Sequence, residues 1–356
     1  MVYKQILFFL FSFGLLSSCG SGKSGIDPHL SFEEQQELTE VNLVGKWKLR
    51  PRNIGSIGSK LVNNCQTESI EFFDDRSYLL NVFASTQGDT LRKIYRGTYD
   101  LLFEENNNEL SLTRVVLMQR NYVSGSTFPT TGSVATIDNI VLEDDTIQFR
   151  IQLGQDTTGF CTTSSPIEVS GDKEDKVTED TTQGTNNDRI QNEWRLIGVE
   201  AQVEQDENQS GSTQSICYFF EDEFYDRCYD ENTESFDDDC PQAVTTTLLI
   251  SGYGTYLFTY FDALGNDLST EQGDWRWRTD TEERYSAFEV KDSSESFSDD
   301  GTIVSIVSLT ETTMVLEEST DEYDEEGNQI RVLFRYTFQL ASLSFQDNAC
   351  GDFTAN

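Results

Sequence analysis

Histidine is almost missing from this chain: of its 356 residues one is a histidine, His29. That absence removes whole classes of chemistry from the folded body. Ser–His–Asp and Cys–His nucleophiles, His-ligated zinc and the HExxH arrangement all need an imidazole. His29 stands in a polar stretch and reads as a solvated tether residue. Positive charge is scarce too, with 25 Lys plus Arg against 63 Asp plus Glu and a net charge of −38. Nucleic acid is excluded as a partner, because its phosphates would be repelled, and so is docking on anionic lipid headgroups. Carboxylates are so abundant that their proximity to one another says nothing about acid–base catalysis. No CxxC pair occurs, no long amphipathic helix interrupts the body, and no apolar run is long enough to span a bilayer. No cofactor motif is present.

What is there begins at the N-terminus. Lys4 precedes an apolar run from Ile6 to Leu16, followed by Leu16-Ser17-Ser18-Cys19-Gly20. This resembles a bacterial lipobox, at which Cys19 receives a diacylglycerol and the preceding peptide is removed. The reading makes 1–18 a lipoprotein signal peptide and 19–41 a lipidated tether with a short helix. The membrane is then a partner through the acyl chains on Cys19, palmitate among them. The protein is placed in the cell envelope, lipid-anchored, and Gly20 after Cys19 is compatible with the outer membrane. Losing Lys4 leaves the mature chain at about −39, a charge that disperses a tethered protein. Residues 20–30 are Gly/Ser-rich and flexible. Ser31-Phe32-Glu33-Glu34 has the capping-box pattern and predicts a helix running to about Glu40.

Of seven cysteines, lipidation of Cys19 leaves an even set: Cys65, Cys161, Cys217, Cys228, Cys240 and Cys350. In an oxidising compartment these suit three disulfides, with every pairing still open.

The rest of the chain is β in pattern. Ile147, Phe149, Ile151 and Leu153 alternate with polar residues, as do Trp275 and Trp277, and Val332, Phe334, Tyr336 and Phe338 keep the same period. Period two with one apolar face means antiparallel sheet buried on one side. Turns are legible at Glu105-Asn106-Asn107-Asn108, Glu143-Asp144-Asp145 and Glu326-Gly327-Asn328. The predicted class is all-β, an antiparallel barrel or sandwich twice over, in residues 42–165 and 190–345. An acidic linker, 166–189, begins at Pro166 and joins them. The second domain carries an acidic insertion, 204–243, and a tail, 346–356, holds Cys350.

The halves read as copies. Gly45-Lys46-Trp47-Lys48-Leu49 answers to Glu193-Trp194-Arg195-Leu196, and Ser77-Tyr78-Leu79-Leu80 to Thr255-Tyr256-Leu257-Phe258. Gly97-Thr98-Tyr99 answers to Gly273-Asp274-Trp275. Ile140-Val141-Leu142 with Ile147 and Phe149 answers to Val307-Ser308-Leu309 with Met314 and Leu316.

A short helix followed by Gly45-x-Trp47 and a run of antiparallel strands resembles the lipocalin-like domains, in particular the lipocalin-like lipoproteins of Bacteroidetes-type bacteria, and this implies two tandem antiparallel barrels, closed or partly open. In the second domain the Gly position is Asn192. The resemblance implies a basic residue of a late strand packed over the opening Trp, for which Arg335 and, in the first domain, Arg150 are the candidates. The repeat suggests Cys65–Cys161, Cys240–Cys350 and Cys217–Cys228, each contributing ~2–5 kcal/mol. Cys217–Cys240 with Cys228–Cys350 is the alternative.

Small barrels either fill with side chains or enclose a ligand. The residues that would line a cavity are Phe72, Tyr78, Tyr99, Phe103 and Phe149, then Tyr256, Trp275, Trp277, Phe334, Tyr336 and Phe338; their bland role is core. Arg150, Arg276, Arg278 and Arg335 fall on the polar face, so a ligand would be small and apolar or sit at the mouth. Trp47 and Trp194 read as barrel-floor packing. Glu322, Asp324, Glu326 and Gly327, and Asp237-Asp238-Asp239, fall short of an EF-hand spacing, so no metal is assigned. The expectation is a non-enzymatic binding protein. The alternative is a structural or protein-interaction lipoprotein with filled barrels, its acidic insertion forming the contact surface.

Overall fold

The computed structural model describes residues 30–51, 65–86, 89–106, 109–120, 130–154, 166–177, 186–204, 216, 219–220, 228–230, 235–236, 241–278, 286–292, 302–323 and 329–341. Among these, two closed eight-stranded antiparallel barrels follow one another, with two helices. Barrel 1 runs through β1 (Gly45–Pro51), β2 (Cys65–Phe72), β3 (Ser77–Thr86), β4 (Asp89–Asn106), β5 (Glu109–Arg120), β6 (Thr130–Glu143), β7 (Thr146–Leu153) and β8 (Ile167–Lys173). Barrel 2 opens with β9 (Glu193–Glu204) and continues, after a small ribbon of β10 (Tyr229–Asp230) and β11 (Ser235–Phe236), in β12 (Thr245–Ile250). It then runs through β13 (Thr255–Phe261), β14 (Asp267–Trp277), β15 (Ala287–Asp292), β16 (Thr302–Leu309), β17 (Thr313–Tyr323) and β18 (Gln329–Leu340). Pairing of β1 with β8 and of β9 with β18 closes the two barrels.

The segment expected to be a linker is therefore partly structural. It supplies β8, which pairs on both sides and completes barrel 1. Its sequence, Ile-Glu-Val-Ser-Gly-Asp-Lys, hides the strand because only Val169 brings a buried apolar side chain. Gly171 is required there: a Cβ would lie 2.9 Å from the Leu49 side chain and 3.0 Å from that of Ile147.

Each barrel is floored by a helix and a tryptophan. Helix α1 (Phe32–Leu43) has the full capping box, with Glu34 accepting from the Ser31 backbone and Ser31 Oγ from the Glu34 backbone. Its buried Gln35 accepts from Leu110 N of the β4–β5 end at 2.8 Å, and Leu43 O accepts from Trp47 Nε1 at 2.9 Å. The shorter α2 (Asn186–Ile190) repeats this, with Ile190 O accepting from Trp194 Nε1 at 2.9 Å. Both indoles are fully buried. Most of α2 also falls in the segment expected to be linker.

The strand registers reproduce the repeat. Trp47 faces Ile70 as Trp194 faces Leu248; Tyr78 faces Gly97 as Tyr256 faces Gly273; Leu142 faces Ile147 as Leu309 faces Met314. Burial patterns then separate two kinds of strand. β7 alternates strictly between a core face and a wetter one. β12, Thr-Thr-Thr-Leu-Leu-Ile, is buried on both faces except at Leu249, and beside it on the outward face Phe261 of β13 lies under the Arg96 guanidinium of barrel 1. Continuous β-branched and apolar runs are what a strand covered on two sides requires.

Candidate functional site: the cleft and charged seam between the barrels

Two copies of one turn face each other where the barrels meet. In barrel 1, Phe73 N donates to Ser77 O, and Tyr99 donates twice back to the turn, N to Arg76 O and Oη to Phe73 O. In barrel 2, Ser251 N donates to Thr255 O, Trp275 N to Gly254 O and Trp275 Nε1 to Ser251 O. The last turn residue has φ 67° at Arg76 and 80° at Gly254. Glycine adopts that conformation without strain; Arg76 is held in it by the surrounding bonds and by its ion pair with Glu40.

Between the turns lies a cleft of about 410 Å³, walled by Phe73, Asp74 and Asp75 on one side and Ser251, Gly252 and Tyr253 on the other. Arg96, Lys176, Gln191 and Glu193 complete its polar lining. Gln191 presses so close to Gly252 that a Cβ there would meet its Oε1 at 2.5 Å. The Gln191 amide nitrogen is itself buried without a hydrogen-bond partner.

Beside the cleft runs a charged seam. Arg96 of β4 meets Glu193 of β9 at 2.5 Å, with the arginine side chain 6 % exposed. Lys46 of β1 lies 3.3 Å from Glu174 and 3.5 Å from Asp274 of β14, and Asp274 also takes Lys291 at 2.7 Å. Glu71 of β2 is buried in the same seam, with the hydroxyls of Ser251 and Thr255 beside its carboxyl. Burial, outweighing Lys46 and the hydroxyls of Ser251 and Thr255, pushes its carboxyl up to about 7. Asp267, at the other end of the seam, is also raised by burial despite Arg96. Burial costs the ionised form more than distant partners return.

Most of the aromatic residues expected as cavity walls belong to the buried clusters or border them. Phe72, Tyr78, Tyr99 and Phe149 are buried in barrel 1, Phe72 and Tyr99 edge to face at 5.0 Å. Phe72 and Tyr78 also reach the cleft. Trp275, Trp277 and Phe338 are buried in barrel 2, where Tyr256 and Tyr336 pack against them, and Phe334 stacks on Tyr336 at 6.2 Å. Phe103 of β4 sits outside both clusters of buried side chains.

The base over the first tryptophan is neither arginine candidate. Arg150 pairs with Asp138 and Arg335 with Glu317, both at 2.7 Å and both partly exposed. Lys173 of β8 instead places its ammonium 5.1 Å above the Trp47 ring and donates to Asn42 O. This explains Gly45: a Cβ there would stand 2.5 Å from Lys173 Cε. In barrel 2 the residue paired with Trp194 at the corresponding register is Leu340, and the Gly position is free to be Asn192.

The acidic insertion contributes to a core. Phe219 and Phe220 meet at 5.4 Å, and Phe219 stacks at 6.4 Å on Tyr260, which faces into barrel 2. Cys228 is disulfide-bonded; Cys19, Cys161, Cys217, Cys240 and Cys350 lie outside the described residues, while Cys65 opens β2. The Glu326-Gly327-Asn328 turn and Asp237–Asp239 lie outside them too.

No protein-family model matches this chain, and no curated protein does. Among solved structures it is similar to a protein of unknown function of the DUF3598 family from Nostoc punctiforme, at 10 % identity and TM-score 0.20, over 85 % of this chain and 97 % of that one. It is also similar to a tryptophan-to-alanine mutant of the vaccine antigen Transferrin Binding Protein B from Haemophilus parasuis Hp5, at 11 % identity and TM-score 0.19. That match covers 78 % of this chain and 55 % of the antigen. Scores this low carry no argument about function.

Proposed function

We propose that this chain is a lipid-anchored protein of the bacterial cell envelope, too acidic on its surface for an anionic partner to be drawn to it, that works by recognition rather than catalysis. It takes its ligand in the cleft between the barrels. The observation that carries this reading is where polar groups are left for a ligand. Barrel 1 holds one continuous cluster of buried side chains, and barrel 2 a cluster beside which Glu271 and Glu318 share the inner face, whereas the cleft joins the apolar surface of Phe73 and Tyr253 to acids, amides and cations of both barrels. Sites of this kind fix a ligand through a few placed polar groups on an apolar wall. The mixture of donors and acceptors suits an uncharged, hydroxyl-rich ligand of the small-saccharide class better than the apolar one expected from the sequence. The lipobox reading of Cys19 supports the anchor, and among the described residues no helix is long and apolar enough to cross a membrane.

The test uses protein extracted from membranes in detergent. Native mass spectrometry before and after organic extraction reports any co-purified molecule, and titration with neutral oligosaccharides follows. Binding that is lost in Tyr253→Ala and Gln191→Leu supports the cleft. Binding of apolar probes that neither variant disturbs would move the ligand into a barrel and overturn the reading. For the anchor, Cys19→Ser in the producing bacterium releases the protein from the membrane fraction and abolishes incorporation of labelled palmitate.

A further inference from the structure

Strand alternation should leave the outward face of a barrel wet, yet here two outward faces are dry. Leu257, Thr259 and Phe261 of β13 and Thr245 and Thr247 of β12 are almost fully buried, as are Leu79 and Arg96 of barrel 1. Thr245, Thr247 and Thr259 find no partner for their hydroxyls. At the β12–β13 turn beside this face barrel 1 places Glu71, which is 2 % exposed.

The groups around Glu71 do not balance it. From β1 comes Lys46, already shared between Glu174 and Asp274, and Lys291 of β15 is engaged by Asp274. Lys176 stands over the Tyr253 ring, 5.6 Å from its centroid. From barrel 2 the Glu71 carboxyl is approached by Ser251, Thr255 and Tyr253. Ser251 Oγ already accepts from Tyr253 N and Thr255 N, so the proton of its hydroxyl is what it can offer. Tyr253 is raised by burial, then by Glu71 and Asp74, and stays neutral. Burial by itself would lower Lys46, but Glu174, Glu71 and Asp274 hold it above its usual value, so it stays charged. Glu71 has no ammonium of its own: Lys46 is bonded to Glu174 and Asp274, and burial outweighs what Lys46 and the hydroxyls of Ser251 and Thr255 return to the Glu71 carboxylate. An unpaired buried charge destabilises whatever encloses it.

We propose that Glu71 is a proton-controlled latch between the barrels: protonated, it lets the two faces pack dry; ionised, it drives them apart without unfolding either barrel. The folded-state carboxyl titrates above its unfolded value of 4.5, at about 7. The latch is therefore fully closed below about pH 4.5 and is lost as pH rises through about 7. An envelope protein meets such a range at its surface, and the Gln191 and Ser251 side of the cleft would open with the seam.

Hydroxyl-radical footprinting of the full-length protein in detergent, at pH 5.5 and 8.5, tests this directly. Leu79 and Phe261 report the seam; Trp47 and Trp194, inside the barrels, report unfolding. Labelling of Leu79 and Phe261 is expected to rise by roughly tenfold at the higher pH while both tryptophans stay protected, and Glu71→Gln is expected to flatten the response. Glu71→Leu, the residue barrel 2 carries at the equivalent Leu249, serves if the glutamine variant folds poorly. Unchanged labelling, a rise shared by the tryptophans, or a rise that persists without the carboxylate would each overturn the latch.

Discussion

In barrel 1 the indole of Trp47 lies under the ammonium of Lys173, and Gly45 makes room for it; in barrel 2 Trp194 has the same burial and the same bond to a helix carbonyl, but Leu340 stands where the lysine would be. Inside, the two barrels agree at Trp47 and Trp194, Ile70 and Leu248, and Tyr78 and Tyr256, while Tyr95 and Ile151 answer to Glu271 and Glu318. Outside, they have diverged at the residues that meet: Lys46, Glu71 and Arg96 correspond by register to Glu193, Leu249 and Gln272. The contacts themselves are reciprocal. The first strand of each barrel meets the fourth strand of the other, as Lys46 with Asp274 and as Glu193 with Arg96, with the charges exchanged. Such an arrangement is what a two-fold interface between like units looks like after its halves have become covalently joined and free to differ. Interiors resist change because close packing penalises it at every atom, whereas an outward face answers only to what covers it.

The largest test of that comparison removes the shared element. Trp47→Ala and Trp194→Ala should each cost about 3–5 kcal/mol. Calorimetry should then show one barrel's transition falling while the other's stays, and a single merged transition in both variants would mean that the seam makes the barrels one cooperative unit. Nearly as large is Arg96→Met, which leaves Glu193 in the seam without its ion-pair partner; a loss of about 3–5 kcal/mol is expected by denaturant titration. Adding Glu193→Leu should recover much of it, and no recovery would deny the pair its coupling.

The pH response comes next. The rise of Glu71 from 4.5 to about 7 caps its effect at about 3 kcal/mol, with stability falling as pH climbs through that window. Glu71→Leu should be the more stable form at pH 8 and should lose the slope, as followed by thermal melts across pH. Smaller again, Tyr99→Phe removes one bond to the turn carbonyl of Phe73 and should cost about 1 kcal/mol in melting experiments. Lys173→Met tests the difference between the barrel floors and should cost about 0.5–1 kcal/mol, the scale of an exposed cation over an indole.

Much of the fold was legible in the sequence. The capping box at Ser31 and Glu34, the alternation over Ile147–Leu153, the turn at Glu143–Asp145 and the four-part repeat all express local rules that a strand or helix obeys by itself. β8 was not legible, because Ile167–Lys173 brings one apolar anchor and a glycine that only the crowding of Leu49 and Ile147 explains. The candidate site was hidden for the same kind of reason. Glu71, Lys46 and Arg96 sit at positions that alternation assigns to water, and nothing in their neighbours in the chain reveals that a second barrel covers them. β12 held the one available hint, since Thr-Thr-Thr-Leu-Leu-Ile has no polar face to spare.

By itself, then, the chain's sequence determined two antiparallel barrels in tandem, their opening tryptophans, the leading helix and an acidic surface, because period, caps and turns act over a few residues. Tertiary structure alone decided which lysine caps Trp47, that aromatic side chains of the insertion pack into barrel 2, and that a carboxylic acid is enclosed between the barrels. Those outcomes depend on which surfaces meet, and meeting brings together residues that the chain keeps far apart.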